Sequence, residues 1–339
     1  MSKKTASLAI ALALASSSLV ACSNSSSELP KPKSTATSVR PAVSGERFTE
    51  IQKNIFDSIK KADESLKPED LKARTTGPFT KMRTAQYQLK GILADSYNVK
   101  ALSSTATSTV STGSDSYPHY ALSVMNPVQG SNLPTVDVFT QSQARSNWQL
   151  WGSLDVMPGA SLPKLDSGDK GMEVIKLDSS DGLVASPKQV VDAYVTLNNT
   201  HTDSQGLTFA DDRLRPQLKN AHESNAKTVD GVGQAFMSFA APEDQIVALR
   251  TSNGGALVFS AFDYNTEIRV TAAGGSIKIG GEGGSLATGT AGEQVEVSGT
   301  LVQNFSGVVG LYIPPAGSDD QSISLVAASM PQLVSVSNG

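Results

Sequence analysis

Apolar residues recur at steps of three and four from Glu46 onward, at Phe48, Ile51, Ile55, Ile59, Ala62 and Leu66, with Lys53, Asp57, Lys60 and Lys61 between them. Helical geometry puts the first set on one side and the second on the other, so the spacing predicts an amphipathic helix. Lys67-Pro68 ends it, because the residue before a proline avoids the helical region. Gly77-Pro78 opens a second helix through Phe79, Met82 and Leu89, with proline at the first helical position, where its missing N–H costs nothing. A Ser/Thr-rich loop is expected at about 103–116. Extended signals follow at 117–125, 135–140 and 147–156, the last with Trp148, Leu150, Leu154 and Val156 on one face at period two. The linkers are too short for crossover helices, so these strands should pair antiparallel.

The order then begins again. Ser186-Pro187-Lys188-Gln189 reads as a capping box, followed by Val190, Val191, Tyr194 and Leu197 on one face. A shorter helix should run over about 211–226, and after Pro242 strands are expected at 246–251, 256–262, 264–270, 295–302, 308–313 and 322–327. Helix, helix, sheet occurs twice in 339 residues, more than one core usually fills. The expectation is an α+β protein of two modules, 46–165 and 186–330, joined by a connector at 166–185 and ending in a tail at 331–339. Each module would lay helices on a curved antiparallel sheet. That layout resembles the cystatin-like cone of the nuclear-transport-factor-2 superfamily, a fold that hosts both enzymes and inert modules.

Residues 1–21 read as a secretion signal: Lys3 and Lys4, an apolar run from Ala6 to Ala15, then Leu19-Val20-Ala21 before Cys22. The run is too short to span a hydrocarbon core, which needs about 20 apolar residues. Leu19 to Cys22 resembles the lipobox of bacterial lipoproteins, whose cysteine receives a diacylglyceryl group and becomes the new first residue. Cys22, the chain's one cysteine, is therefore the lipidation candidate. The implied location is the outer face of the bacterial cytoplasmic membrane. Residues 22–45, rich in Ser, Thr and Pro, should form a disordered tether with a reach of about 25 Å.

A second resemblance rests on Asn147-Trp148-Gln149-Leu150-Trp151, Met157-Pro158-Gly159-Ala160-Ser161-Leu162-Pro163 and Asn253-Gly254-Gly255-Ala256-Leu257-Val258-Phe259, with the Gly77-Pro78 helix start and Ile313-Pro314-Pro315. Together these resemble an uncharacterised family of secreted actinobacterial lipoproteins whose domain has no assigned function. The resemblance covers about 46–330 and implies no reaction.

Composition narrows the chemistry. A single cysteine leaves no disulfide, and a net charge of −4 without a Lys/Arg block argues against nucleic acid as a partner. His119, His201 and His222 stand in different elements, and His201 with Asp203 reads as a solvated loop rather than a catalytic pair. No G-x-S-x-G, H-E-x-x-H or P-loop motif is present. Asp211-Asp212 fits the acidic start of a helix better than half a calcium or glycosidase site. The glycines at 274–284 surround Ile277-Lys278-Ile279 and predict a flexible hairpin or lid. Trp148 shares its parity with the apolar residues; Trp151 does not, and is the candidate for an exposed anchor. No catalytic, metal or cofactor residue is expected. The sequence thus reads as a non-catalytic binding or assembly module with an envelope protein or glycan partner. The alternative is a small-molecule or glycan-binding protein, more remotely a hydrolase, using a pocket in one cone.

Overall fold

The expected stripe forms helix α1 (Gly45–Ser65), with Phe48, Ile55, Phe56 and Ile59 buried and Lys53 and Lys60 in water. The Ser44 hydroxyl accepts a bond from the Arg47 N–H at its start, and Leu66, at φ 54°, turns the chain out at its end. Helix α2 (Gly77–Leu93) begins at the expected Gly-Pro. These coordinates are a computed structural model that describes residues 40–165 and 170–338. The signal segment, Cys22 and most of the tether lie outside the described residues.

Strands β1 (Ala106–Ser111), β2 (His119–Met125), β3 (Thr135–Gln141) and β4 (Gln149–Val156) form an antiparallel meander. Helix α1 packs on it through Phe139, Trp148 and Leu150, with the Phe48 ring edge-on to both aromatics at 5.2 Å. The second half holds α3 (Pro187–Thr200), whose capping box forms as expected, and α4 (Leu214–Thr228). Strands β5 (Gly233–Ala240), β6 (Ile246–Arg250), β7 (Ala256–Val270) and β8 (Ile277–Ile279) follow. After α5 (Gly281–Thr288) come β9 (Val295–Val297), β10 (Thr300–Ile313), β11 (Ser324–Ala328) and β12 (Gln332–Asn338). The chain is α+β, as expected.

The two expected sheets are one. Ten strands share a sheet ordered β1-β2-β3-β4-β11-β10-β7-β5, with β12 also on β10 and β6 also on β7; β8 and β9 form a separate ribbon. The halves meet where β11 pairs with β4, at Ala327 opposite Val156 and Ala328 opposite Asp155. Around that join one core cluster draws Trp151 and Leu154 from the first half and Leu257, Phe259 and Val326 from the second. The described part of the expected connector is bound in as well: Met172, Ile175, Leu183 and Ala185 are buried, and the Ile175 N–H donates to the Ala248 carbonyl. The described residues form one compact unit.

Other expectations give way locally. The 103–116 loop contains β1, the 331–339 tail contains β12, and β5 precedes Pro242. Residues 41–43 belong to the sheet rather than the tether, with the Ala42 N–H on the Thr112 carbonyl and the Ser111 hydroxyl on that of Val43. The glycine run forms α5 in place of a hairpin. A Cβ on Gly284 would lie 2.4 Å from the Ile279 carbonyl oxygen and one on Gly283 2.1 Å from the Gln303 amide nitrogen, so these glycines let the helix sit against its neighbours.

Candidate functional site

Past the two-residue join, β4 and β11 part, and α2 fills the fork, packing on β4, β10 and β12. A cleft of about 240 Å³ opens there. Phe79 and Met82 of α2, Val308 of β10 and Met330 give it apolar surface, and Tyr97, Lys100 and Ser153 bring polar groups. Met330 stands at the rim, 65% exposed.

The polar wall is held by Arg83, which sits in the apolar stripe of α2 and is 3% exposed. Its guanidinium is spent on structure: Nε and Nη2 donate to the Asp63 carboxylate of α1, and Nη1 to the Gln86 side chain and the Lys100 carbonyl. The Tyr87 hydroxyl adds a bond to Asp63 at 2.6 Å, and burial together with that carboxylate pushes the Tyr87 pKa far up. One side chain thus fixes two helices and the 97–102 segment, so the cleft wall is preorganised. The Tyr97 hydroxyl donates to Gln332 at 3.1 Å, tying the segment to β12, and burial raises its pKa. Lys100 Nζ pairs with Asp155 at 2.8 Å.

Behind Ser153 runs a polar row across the meander. Ser153 stands opposite Asp137, Asp137 opposite Ser123, and Ser123 bonds Thr109 at 2.8 Å between hydroxyl oxygens. Asp137 is 1% exposed. Burial pushes its carboxyl up to about 7, against the pull of the Ser153 hydroxyl, the Lys100 charge and the Thr135 hydroxyl, while Asp155 adds to the rise. Carboxyl shifts of this kind gather at functional sites. The arrangement suits recognition: a ligand's polar end at Lys100 and Ser153, its apolar body on Phe79, Met82 and Val308. Among the described residues no group of three or more His, Cys, Asp or Glu is placed to hold a metal ion.

The model of a family described as a domain of unknown function, DUF8094, matches residues 41–310. The chain belongs to that family. No curated protein and no solved structure matches it. The DUF8094 match begins at Pro41, which bridges to Gly113 beside β1, and ends inside β10. The cleft draws on both sides of that limit: α2, the 97–102 segment, β4 and Val308 lie within the match, while Ser329 to Gln332 lie beyond it.

The residues singled out from the sequence fall elsewhere. Trp151 is no exposed anchor: it is 5% exposed, its Nε1–H donates to Gln245 at 3.2 Å, and its ring lies against Gly77. A Cβ on Gly77, whose φ is +56°, would meet that ring at 2.7 Å, so the glycine that starts α2 is also the seat of the indole. Trp148 is core, as expected. His201 and Asp211-Asp212 do converge, on an open groove of about 700 Å³ between α3 and α4. There His201 ends α3 in the left-handed region, and Asp212 accepts from the backbone and Nε of Arg215 at 2.8 and 2.6 Å. Asp212 thus ties down the start of α4 from just outside it, while the helix itself begins at Leu214, later than the sequence suggests, with no acidic residue in its first turn. His119 is buried against Tyr117, with rings 3.9 Å apart and a pKa lowered by burial. Neither it nor His222 lines the groove.

Sequence reasoning passed over Arg83 and Asp137, yet each leaves a signal. Arg83 is four residues after Phe79, on the apolar face of α2. Asp137 stands within Val136-Asp137-Val138-Phe139, an acid inside an apolar strand. Lys100 and Tyr97 carry no such mark.

Proposed function

We propose that this protein is a lipid-anchored, non-catalytic binding protein of the bacterial cell envelope that holds a small amphipathic molecule in the cleft beside α2. The observation that carries the reading is a rigid wall, fixed by Arg83, facing an apolar floor with Lys100, Ser153 and Tyr97 converging on it. At about 240 Å³ the cleft is just below the roughly 300–1,000 Å³ typical of ligand sites, which points to a small occupant. Lys100 lies beside Asp155 and can turn toward a carboxylate or hydroxyl. Cys22, in its lipobox, would carry the diacylglyceryl anchor, and among the described residues no helix is long and apolar enough to cross a membrane.

Two measurements test this. Cys22→Ala should abolish lipoprotein processing and detergent partition; an unchanged mass and partition would sink the anchor. For the cleft, the chain from Ser23 onward is screened by thermal shift against short-chain carboxylates and monosaccharides. A hit should vanish in Gly152→Val, whose added Cβ meets its nearest neighbour at 3.6 Å, an ordinary contact, while the branched side chain takes up cleft space. Equal shifts in the native chain and the variant would place binding elsewhere.

A further inference from the structure

A sheet edge presents backbone N–H and C=O groups that pair with any strand offered, and folded proteins close such edges or load them with charge. The edge of β6 is closed: the Ile175 N–H donates to Ala248, and the Arg250 N–H to Glu173. Strand β5 is different. Its odd-numbered residues point away from β7, because the Gly233 N–H bonds the Val229 carbonyl and the backbone of Phe239 is bonded in both directions by the Asn199 amide, at 2.9 and 3.1 Å. The register agrees, since Val270, opposite Gly233, sends its N–H toward Gly299 instead of β5. Between these two closures Ala235 and Met237 also point outward, and among the described residues neither makes a backbone hydrogen bond there.

We propose that this window is a self-association edge, in which two copies of the chain pair β5 with β5 antiparallel about a twofold axis through Phe236. The window is symmetric about that residue. Ala235 would exchange both of its bonds with Met237 of the partner subunit, and Met237 with Ala235 of the partner subunit, as in any antiparallel hydrogen-bonded pair. Phe236 would then face Phe236 of the partner subunit in the close, non-hydrogen-bonded position, with Cβ atoms about 4.5–5.5 Å apart. Its ring is 43% exposed and already lies under the Arg269 guanidinium at 5.3 Å, which Glu267 neutralises. The strand GQAFMSFA carries no charge and no proline, so nothing in it repels a second copy. The closures at both ends leave too few groups to hold a longer foreign strand. A second copy, bringing the same short window and the same aromatic ring, matches it in length and adds the ring pair.

The chain from Ser23 onward lacks cysteine, so Phe236→Cys places a single thiol on the proposed axis. Sedimentation should show the native chain moving from one to two chain masses with concentration. Phe236→Lys, which sets like charges opposite each other, should stay at one chain mass with an unchanged thermal midpoint. Under mild oxidation Phe236→Cys should form a disulfide-linked dimer much faster than Tyr117→Cys, an exposed position remote from β5 in the strand order. A native chain that stays monomeric at every concentration, a dimer that persists in folded Phe236→Lys, or equal crosslinking of the two thiols would each overturn the proposal. Gly152→Val should leave the dimer intact, which keeps this test separate from that of the cleft.

Discussion

The half of the sheet under α1 and the half under α3 are filled differently. Under α3 an unbroken chain of rings runs from Phe209 through Tyr194, Phe262, Phe239 and Tyr264 to Phe305, with centroids 4.7 to 5.7 Å apart. Under α1 the apolar cluster of Phe48, Ile55, Ile59, Phe139 and Leu150 borders a polar row containing the buried Asp137. A buried carboxyl lowers stability unless its surroundings are arranged for it, so a strand that keeps one beside a cleft has given up stability locally. The aromatic half is built to hold; the other half holds and also serves a site.

The comparison breaks first if α1 is not what holds its half together. Ile55 is fully buried, and truncating such a side chain costs about 2 to 5 kcal/mol once the cavity is counted. Ile55→Ala should lower the urea midpoint clearly, while Lys60→Ala, on the exposed face, should stay within about 0.5 kcal/mol. Equal midpoints for native chain and Ile55→Ala would mean that α1 adds nothing to the sheet beneath it.

Next comes the carboxyl. In the unfolded chain an aspartate ionises near pH 4, whereas in the fold burial holds Asp137 up to about 7. The folded state therefore binds the proton more tightly, and its advantage is complete below about pH 4. It is lost as pH rises toward 7, by up to about 4 kcal/mol, and the curve is flat above that. Asp137→Asn keeps the shape without the charge, so it should remove this slope and raise the thermal midpoint at pH 8 while leaving it nearly unchanged at pH 4. A variant with the native pH slope would assign the effect to another group.

How far this was legible in the sequence follows the same division. Helices α1 and α3 were plain because their stripes and the Ser186-Gln189 capping box are local signals. Strand β1, ATSTVS, was read as loop because four of its six residues are Ser or Thr, which erases the apolar alternation; of these, Thr109 bonds into the polar row. Strand β12 alternates well in Val334-Ser335-Val336-Ser337, but its partner lies some thirty residues back, beyond any hairpin signal. The single sheet was hidden for a like reason: two residue pairs of one strand pairing, Ala327 with Val156 and Ala328 with Asp155, join the halves across the length of the chain. The cleft depends on that join. Its residues come from α2, the 97–102 segment, β4, β10 and the β11–β12 link, so no one stretch of sequence announces it.

The smallest effect is expected in the aromatic half, from its one buried ring hydroxyl close to a carboxylate. Tyr194 donates to Asp212 at 3.4 Å, near the outer limit for a hydrogen bond, and Asp212 is already held by Arg215 at 2.6 Å. Removing the hydroxyl therefore leaves no unsatisfied partner, the condition under which such a loss is cheap. Burial, reinforced by the Asp212 charge, holds the Tyr194 pKa well above its usual value, so the hydroxyl stays protonated throughout the range in which Asp137 titrates. Tyr194→Phe should cost about 1 kcal/mol or less in a urea titration, by the same amount at pH 5 and pH 8. A loss as large as that of Ile55→Ala, or one that grew with pH, would show that the aromatic half also leans on a buried polar contact, and the contrast between the two halves would dissolve.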